Sequence, residues 1–173
     1  MRVIFLDIDG VLNTTHTRER IPGLGFIGID FRNVEMLRKL VDQSNQIDET
    51  VIVLSSSWRA GVDRFGNAIP GHYSYLRECL AEQGLVLYDE TPFVDSGRKR
   101  GAEIRKWLVE HKDLPIKGIV ILDDEFWPDF KRLRVSRFWV RTSYWAASGG
   151  LQEGNVREAL KKLQMEIPGE FWI

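Results

Sequence analysis

Four short apolar runs constrain this chain more than any other feature: VIFL (residues 3–6), VIVL (51–54), LVLY (85–88) and IVIL (119–122). Each is continuous rather than alternating, and they are rich in β-branched residues. A strand with one wet face alternates apolar and polar side chains, because successive side chains point to opposite faces. A strand covered on both faces reads as an unbroken apolar run. A fifth run, FWV (138–140), predicts one more strand. Between the runs lie apolar stripes at helical spacing: Val34, Leu37, Leu40 and Val41; then Leu76, Cys79 and Leu80; then Ile104, Trp107 and Leu108; and last Val156, Ala159, Leu160 and Leu163. Asn155 followed by Glu158 has the form of a capping box ahead of the last stripe. Strands separated by helices predict an α/β fold, a three-layer Rossmann-like parallel sheet with helices on both faces.

The chain has 173 residues, room for one domain spanning 1–173 with a sizeable core. Its formal net charge of −1 argues against a protein that coats nucleic acid or an anionic membrane. A lone cysteine, Cys79, forms no intrachain disulfide, and its place on a helical stripe reads as core. No apolar run approaches the roughly 18 residues of a membrane span, and Met1 and Arg2 lead straight into the first strand without a signal-peptide pattern. The expectation is a soluble, cytoplasmic domain without a membrane partner. Residues 14–30 and 61–71 lack periodicity and read as loops, too short for further domains.

In open α/β sheets, ligands sit beyond the carboxyl ends of the strands. The residues found there carry chemistry. Asp7 and Asp9 follow the first run, Ser55, Ser56 and Ser57 the second, and Asp123, Asp124 and Glu125 the fourth. Arg98, Lys99 and Arg100 open the third helical stripe. Carboxylates packed together raise each other's pKa unless a cation intervenes. A hard divalent ion with oxygen ligands answers that need, and Mg²⁺ is the common one where phosphate is handled. Along an extended chain Asp7 and Asp9 project to the same side, so one can attack while the other handles a proton.

The segment DIDGVLN (7–13), the strand-ending VIVLS, the basic cluster before a helix and VILDD with Asp129 stand in a telling order. They resemble the four motifs of the haloacid dehalogenase (HAD) superfamily of hydrolases. SSSWR, RGAEIRKWL, VILDDE and the late GGL are similar to a small capless branch linked to RNA-repair proteins. The resemblance implies a phosphatase in which Asp7 is the nucleophile and forms an aspartyl-phosphate. Asp7 is then expected at its ordinary pKa near ~4. Asp9, with a raised pKa, protonates the leaving oxygen and then activates water. Mg²⁺ is held by Asp7, the Asp9 backbone carbonyl and Asp124, with Asp123 the alternative acid. Ser55, as the residue ending its strand, donates to the phosphoryl oxygens. Arg100, directly preceding the helix, or Lys99 neutralises charge; a planar fork and a point charge differ in geometry.

Other features weigh less. His16, His72 and His111 lack metal-ligand spacing. Lys131, Arg132, Arg134, Arg137 and Arg141 run beside Trp139, Tyr144 and Trp145, a composition that suits single-stranded nucleic acid but also a solvated edge strand, the preferred reading. The gaps at 14–30 and 88–98 are too short for a folded cap, so the cleft should be open and the substrate a phosphate on a large molecule, such as a nucleic-acid end. The alternative is a catalytically silent module that binds nucleic acid or protein.

Overall fold

The computed structural model describes residues 1–94 and 99–173. Strands β1 (Arg2–Leu6), β2 (Thr50–Leu54), β3 (Leu87–Glu90), β4 (Gly118–Asp123) and β5 (Trp139–Arg141) form one sheet in the order β3-β2-β1-β4-β5. Every pairing is parallel. Helices α1 (Phe31–Asn45), α2 (His72–Ala81), α3 (Arg100–Glu110) and α4 (Glu153–Lys162) supply the crossovers and the C-terminal cover. Among the described residues no folded cap stands over the sheet.

Alternation along β1 divides the core in two. Ile4 and Leu6 pack with the stripes of α1, α2 and α4. Val3 and Phe5 pack on the other face with Ile104, Trp107 and Leu108 of α3 and with Phe130, Phe138 and Phe171. The chain runs outward from β1 to β3 on one side, then crosses back to β4 on the other. Strand order therefore reverses between β1 and β4, and their carboxyl ends flank the crevice that such a reversal opens.

The pattern of apolar runs located β1, β2 and β4 closely and the two edges less well. β3 begins at Leu87 rather than Leu85, because the Leu85 N–H closes the end of α2 on the Leu80 carbonyl at 2.9 Å. At the sheet edge its side chains alternate between half-buried and exposed, so the run is not covered on both faces. Phe138 belongs to the short helical turn Val135–Phe138, and β5 starts one residue later. α4 starts at Glu153, ahead of the expected box. Asn155 is instead the third residue of the helix, its Oδ1 accepting from the Gln152 N–H at 2.9 Å.

Both aperiodic stretches are small flaps. Arg20 bridges Ile27 and Val62 bridges Ala68, each as a single antiparallel contact. The first flap is tied to α2 where the Ile29 N–H donates to the Tyr75 hydroxyl at 2.9 Å. Among the described residues no helix is long and apolar enough to cross a membrane.

Candidate active site

The parallel ladder continues one residue beyond the strands. Asp7 N–H donates to the Leu122 carbonyl at 2.9 Å and Ser55 N–H to the Leu6 carbonyl at 2.7 Å. The end of β1 is thus fixed between the ends of β2 and β4. One carboxylate oxygen each from Asp7, Asp123 and Asp124 lie within 4.8 Å of one another. Gly10 makes this approach possible. Its φ is +87°, and a Cβ there would fall 2.4 Å from Asp124 Cγ. A side chain at position 10 would expel Asp124 as well as strain the turn.

Asp9 has its carboxylate outside that trio. Oδ1 accepts from Asn13 Nδ2 at 2.9 Å, and Oδ2 accepts from the Trp58 indole at 3.1 Å and from Arg64 N–H at 2.8 Å. Asp123 is pinned as well. Its oxygens accept from Glu125 N–H and from the Trp127 indole, both at 2.9 Å. Asp124 meets Arg64 Nη1 at 2.8 Å.

Arg100 is the buried cation of the site. Its guanidinium lies 3.9 Å from Asp7, 3.7 Å from Asp123 and 3.6 Å from Glu103, and it covers the Trp127 ring at 4.9 Å. None of the three ion-pair distances is a hydrogen bond, and Nε and Nη1 are buried without a hydrogen-bond partner. Asp129 fixes the start of α3 by accepting from Gly101 N–H at 3.1 Å and Ala102 N–H at 2.8 Å. A carboxylate on the first turn of a helix also complements its dipole. Arg59 ties the same helix to the end of β2, through Glu103 at 2.7 Å.

Arg100 and Arg64 together do not balance the four carboxylates of Asp7, Asp9, Asp123 and Asp124. Burial pushes the Asp7 carboxyl up to about 6; Arg100 and a Ser56 hydrogen bond pull it back, while Asp9 and Asp124 push it further. The ordinary value expected for Asp7 does not hold in this setting. Asp123 is raised by burial and by the charge of Asp7. Asp9 is raised by burial, against the pull of Asn13, Trp58 and Arg64. Three crowded oxygen donors, with the carboxyls of Asp7 and Asp123 raised by burial and by their neighbours' charge, fit a hard divalent cation.

A family model for the HAD domain in Swiss Army Knife RNA repair proteins matches residues 3–156. The chain belongs to this family. No curated protein matches it. Among solved structures it is similar to a D,D-heptose 1.7-bisphosphate phosphatase from B. bronchiseptica complexed with magnesium and phosphate. The TM-score is 0.51 at 18% identity, over 98% of this chain and 89% of that one. At that identity the likeness is one of fold.

The HAD motif positions sort as follows. Asp7, Asp9, Asp124 and Arg100 line one cleft of about 240 Å³, with Ser57, Arg64 and Trp127. Lys99 is the residue ahead of α3, half-buried, and Arg100 lies within 4 Å of Asp7 and Asp123. Arg98 lies outside the described residues. Ser55, at the end of β2, is not among the residues that line this cleft. Its Oγ is buried with no hydrogen-bond partner, while the Ser56 Oγ accepts from Trp58 N–H at 3.4 Å and Ser57 faces the cleft. The chain turns into a short helix at Ser57, with Ser56 as its cap, so the strand's alternation ends before the three serines do. Asp129 serves α3 rather than the cluster.

Trp58, Asn13 and Arg64 were not legible as site residues. Asn13 and Trp58 lie inside the motif segments, where an amide and an indole near paired acids are a usable signal. Arg64 sits mid-flap with no periodicity around it. The run from 131 to 145 does not form one face: Arg134 pairs with Glu170 at 2.7 Å, Trp139 donates to the Asp123 carbonyl at 2.8 Å, and Tyr144 lies under Arg64.

Proposed function

We propose that this chain is a Mg²⁺-dependent phosphohydrolase that cleaves phosphomonoesters through an aspartyl-phosphate on Asp7. The observation that carries the reading is the meeting of Asp7, Asp123 and Asp124 within 4.8 Å beside an arginine with unpaired buried donors. Unsatisfied donors of this kind call for a ligand, and a phosphoryl oxygen is one they suit. The heptose bisphosphate phosphatase that shares the fold carries magnesium and phosphate, in keeping with this reading.

An Asp7 oxygen attacks phosphorus, and the bond from phosphorus to the ester oxygen breaks. Asp9, protonated, gives its proton to that oxygen, so the alcohol leaves neutral. Its burial-raised pKa favours the protonated form needed for this step. Asp9 carboxylate then takes a proton from water as the water oxygen attacks phosphorus. The Asp7–phosphorus bond breaks, releasing inorganic phosphate and restoring both acids. Arg100 and Ser57 stand where the phosphoryl oxygens gain charge. Asp7, Asp124 and the Asp9 backbone carbonyl would hold Mg²⁺, with Asp123 alongside; when bound, the ion neutralises the carboxylates and the phosphoryl charge.

The absence of a folded cap leaves the cleft open to a phosphate at the end of a large molecule. The family's link to RNA repair favours a nucleic-acid end. The test is hydrolysis of an aryl phosphate and of phosphorylated oligonucleotides by pure protein, with Mg²⁺ and with EDTA. Metal-dependent turnover is expected. Its absence on both substrates would return the chain to the class of catalytically silent binding modules.

A further inference from the structure

A second cavity of about 260 Å³ adjoins the carboxylate cleft and shares Asp9 and Arg64 with it. Both flaps build it. Arg20, Phe26 and Ile27 come from the first, Asp63, Phe65 and Asn67 from the second, and Tyr144 closes the floor. Its size is below the roughly 300–1,000 Å³ of drug-sized sites, which suits one ring system rather than several.

The mouth of this cavity is aromatic and uncovered. Phe65 is 60% exposed and Trp145 is 64% exposed. Both rings stand edge-on to the buried Tyr144, with centroids at 6.1 and 5.0 Å. The Arg64 guanidinium carbon lies over the Tyr144 ring, 4.0 Å from its centroid, while its Nη1 donates to Asp124. The turn that presents Phe65 is built for the purpose of rigidity: Asp63 accepts from Phe65 N–H, Asn67 N–H and Asn67 Nδ2 at 2.8–2.9 Å. Large aromatic side chains held rigid and left in water mark a contact surface rather than a core.

We propose that Phe65, Trp145 and Arg64 form a platform on which the base of a terminal nucleotide stacks while its phosphate lies among Asp7, Asp124 and Arg100. The inference rests on the phosphohydrolase reading for its direction. Asp9 borders both cavities, so a leaving oxygen protonated by Asp9 points its sugar and base towards the aromatic one. Nucleobases offer a π face to aromatic rings and to guanidinium whatever their sequence. A net charge of −1 and the few cations at this mouth fit the recognition of one terminal nucleotide, not of a long strand.

The test uses tetranucleotides phosphorylated at the 3′ or the 5′ end, labelled at the other end, with and without the base on the phosphorylated nucleotide. Affinities are measured by fluorescence anisotropy with Mg²⁺ on the Asp7→Asn protein, which cannot attack the phosphate. At one of the two ends the base should tighten binding about ten- to a hundredfold. That ratio should collapse towards one when Phe65→Ala or Trp145→Ala is added, and Phe65→Trp should retain it. A ratio near one at both ends overturns the platform, as does a ratio that both alanine variants preserve. Tighter binding of a sugar phosphate than of the base-bearing strand also overturns it. Turnover of an aryl phosphate and of the same phosphorylated tetranucleotides by the wild-type protein with Mg²⁺ is measured in parallel. Failure on both removes the phosphohydrolase reading and leaves the binding ratio interpretable.

Discussion

The acids after β1 and those at the end of β4 divide their roles in opposite order. In the first pair Asp7 joins the carboxylate cluster and Asp9 is held by donors. In the second Asp123 is held by donors and Asp124 faces the cleft. An indole N–H and a backbone N–H hold the pinned member in both cases. The origin of those donors differs. Asp123 is gripped by Glu125 and Trp127, within four residues of itself. Asp9 has one near donor, Asn13 on Oδ1, but its Oδ2 is gripped by Trp58 and by Arg64 of the second flap, more than forty-five residues away. Asp123 is therefore a fixed part of its own turn. The orientation of Asp9 depends on a surface loop being in place, which is what a group that must address an incoming substrate requires.

The largest effects should separate the members of the first pair. Asp7→Asn keeps the shape but cannot form the aspartyl-phosphate, so turnover should fall by at least about a thousandfold with the fold intact. Asp9→Asn removes the proton donor and should cost about a hundred- to ten-thousandfold. Steady-state rates together with circular dichroism check both. Wild-type turnover by Asp7→Asn would break the covalent assignment.

The second pair should separate by property rather than by size. Asp124→Ala should weaken Mg²⁺ binding at least about tenfold with little change in stability, since its partner Arg64 is free to meet water. Asp123→Ala removes the acceptor of the Trp127 indole and Glu125 amide hydrogen bonds and one of the carboxylates beside the buried Arg100. It should cost about 3 kcal/mol of stability. Calorimetric Mg²⁺ titration and urea unfolding measure the two quantities, with Asp123→Asn as the milder variant. If Asp123→Ala weakened the ion more and spared stability, the two acids would exchange roles.

How far these roles could be read from sequence follows the same division. The positions of Asp7, of the pair Asp123 and Asp124 and of the pair Lys99 and Arg100 were legible because strand ends and a helix start fix them, and those elements carry strong periodicity. Burial by α1 and α3 made β1, β2 and β4 unbroken apolar runs, whereas β3 at the edge needed no such run and was placed two residues early. The serines were ambiguous because Ser56 caps a helical turn, which redirects each side chain from the alternation of the strand. Arg64 had no local signal, since its contacts to Asp9 and Asp124 cross about sixty residues of chain. Asp129 looked like part of the acidic motif, and its neighbours in space, not in sequence, make it the cap of α3.

Asp30 tests whether the comparison isolates function or merely burial. It is a buried acid like Asp7 but does not line the cleft, and its pKa moves the other way. Hydrogen bonds from the Arg32 guanidinium, then from the Arg32 amide, hold its carboxyl below the usual value against the effect of burial. It caps α1, with Oδ1 accepting from Arg32 N–H at 3.0 Å and Oδ2 meeting Arg32 Nη2 at 2.7 Å. Asp30→Ala should therefore cost about 1 kcal/mol at pH 7, the usual worth of such a cap. Mg²⁺ affinity should not change. Because the folded pKa is depressed, the contribution is fully present above the unfolded value of about 3.9 and is lost as pH falls through the folded value. The gap between wild type and variant in urea unfolding should thus close on acidification below about pH 4. A gap that widened instead, or a variant with altered Mg²⁺ binding, would show that Asp30 is coupled to the acids of the cleft and that buried acids here do not divide so cleanly into those that hold the fold and those that face the substrate.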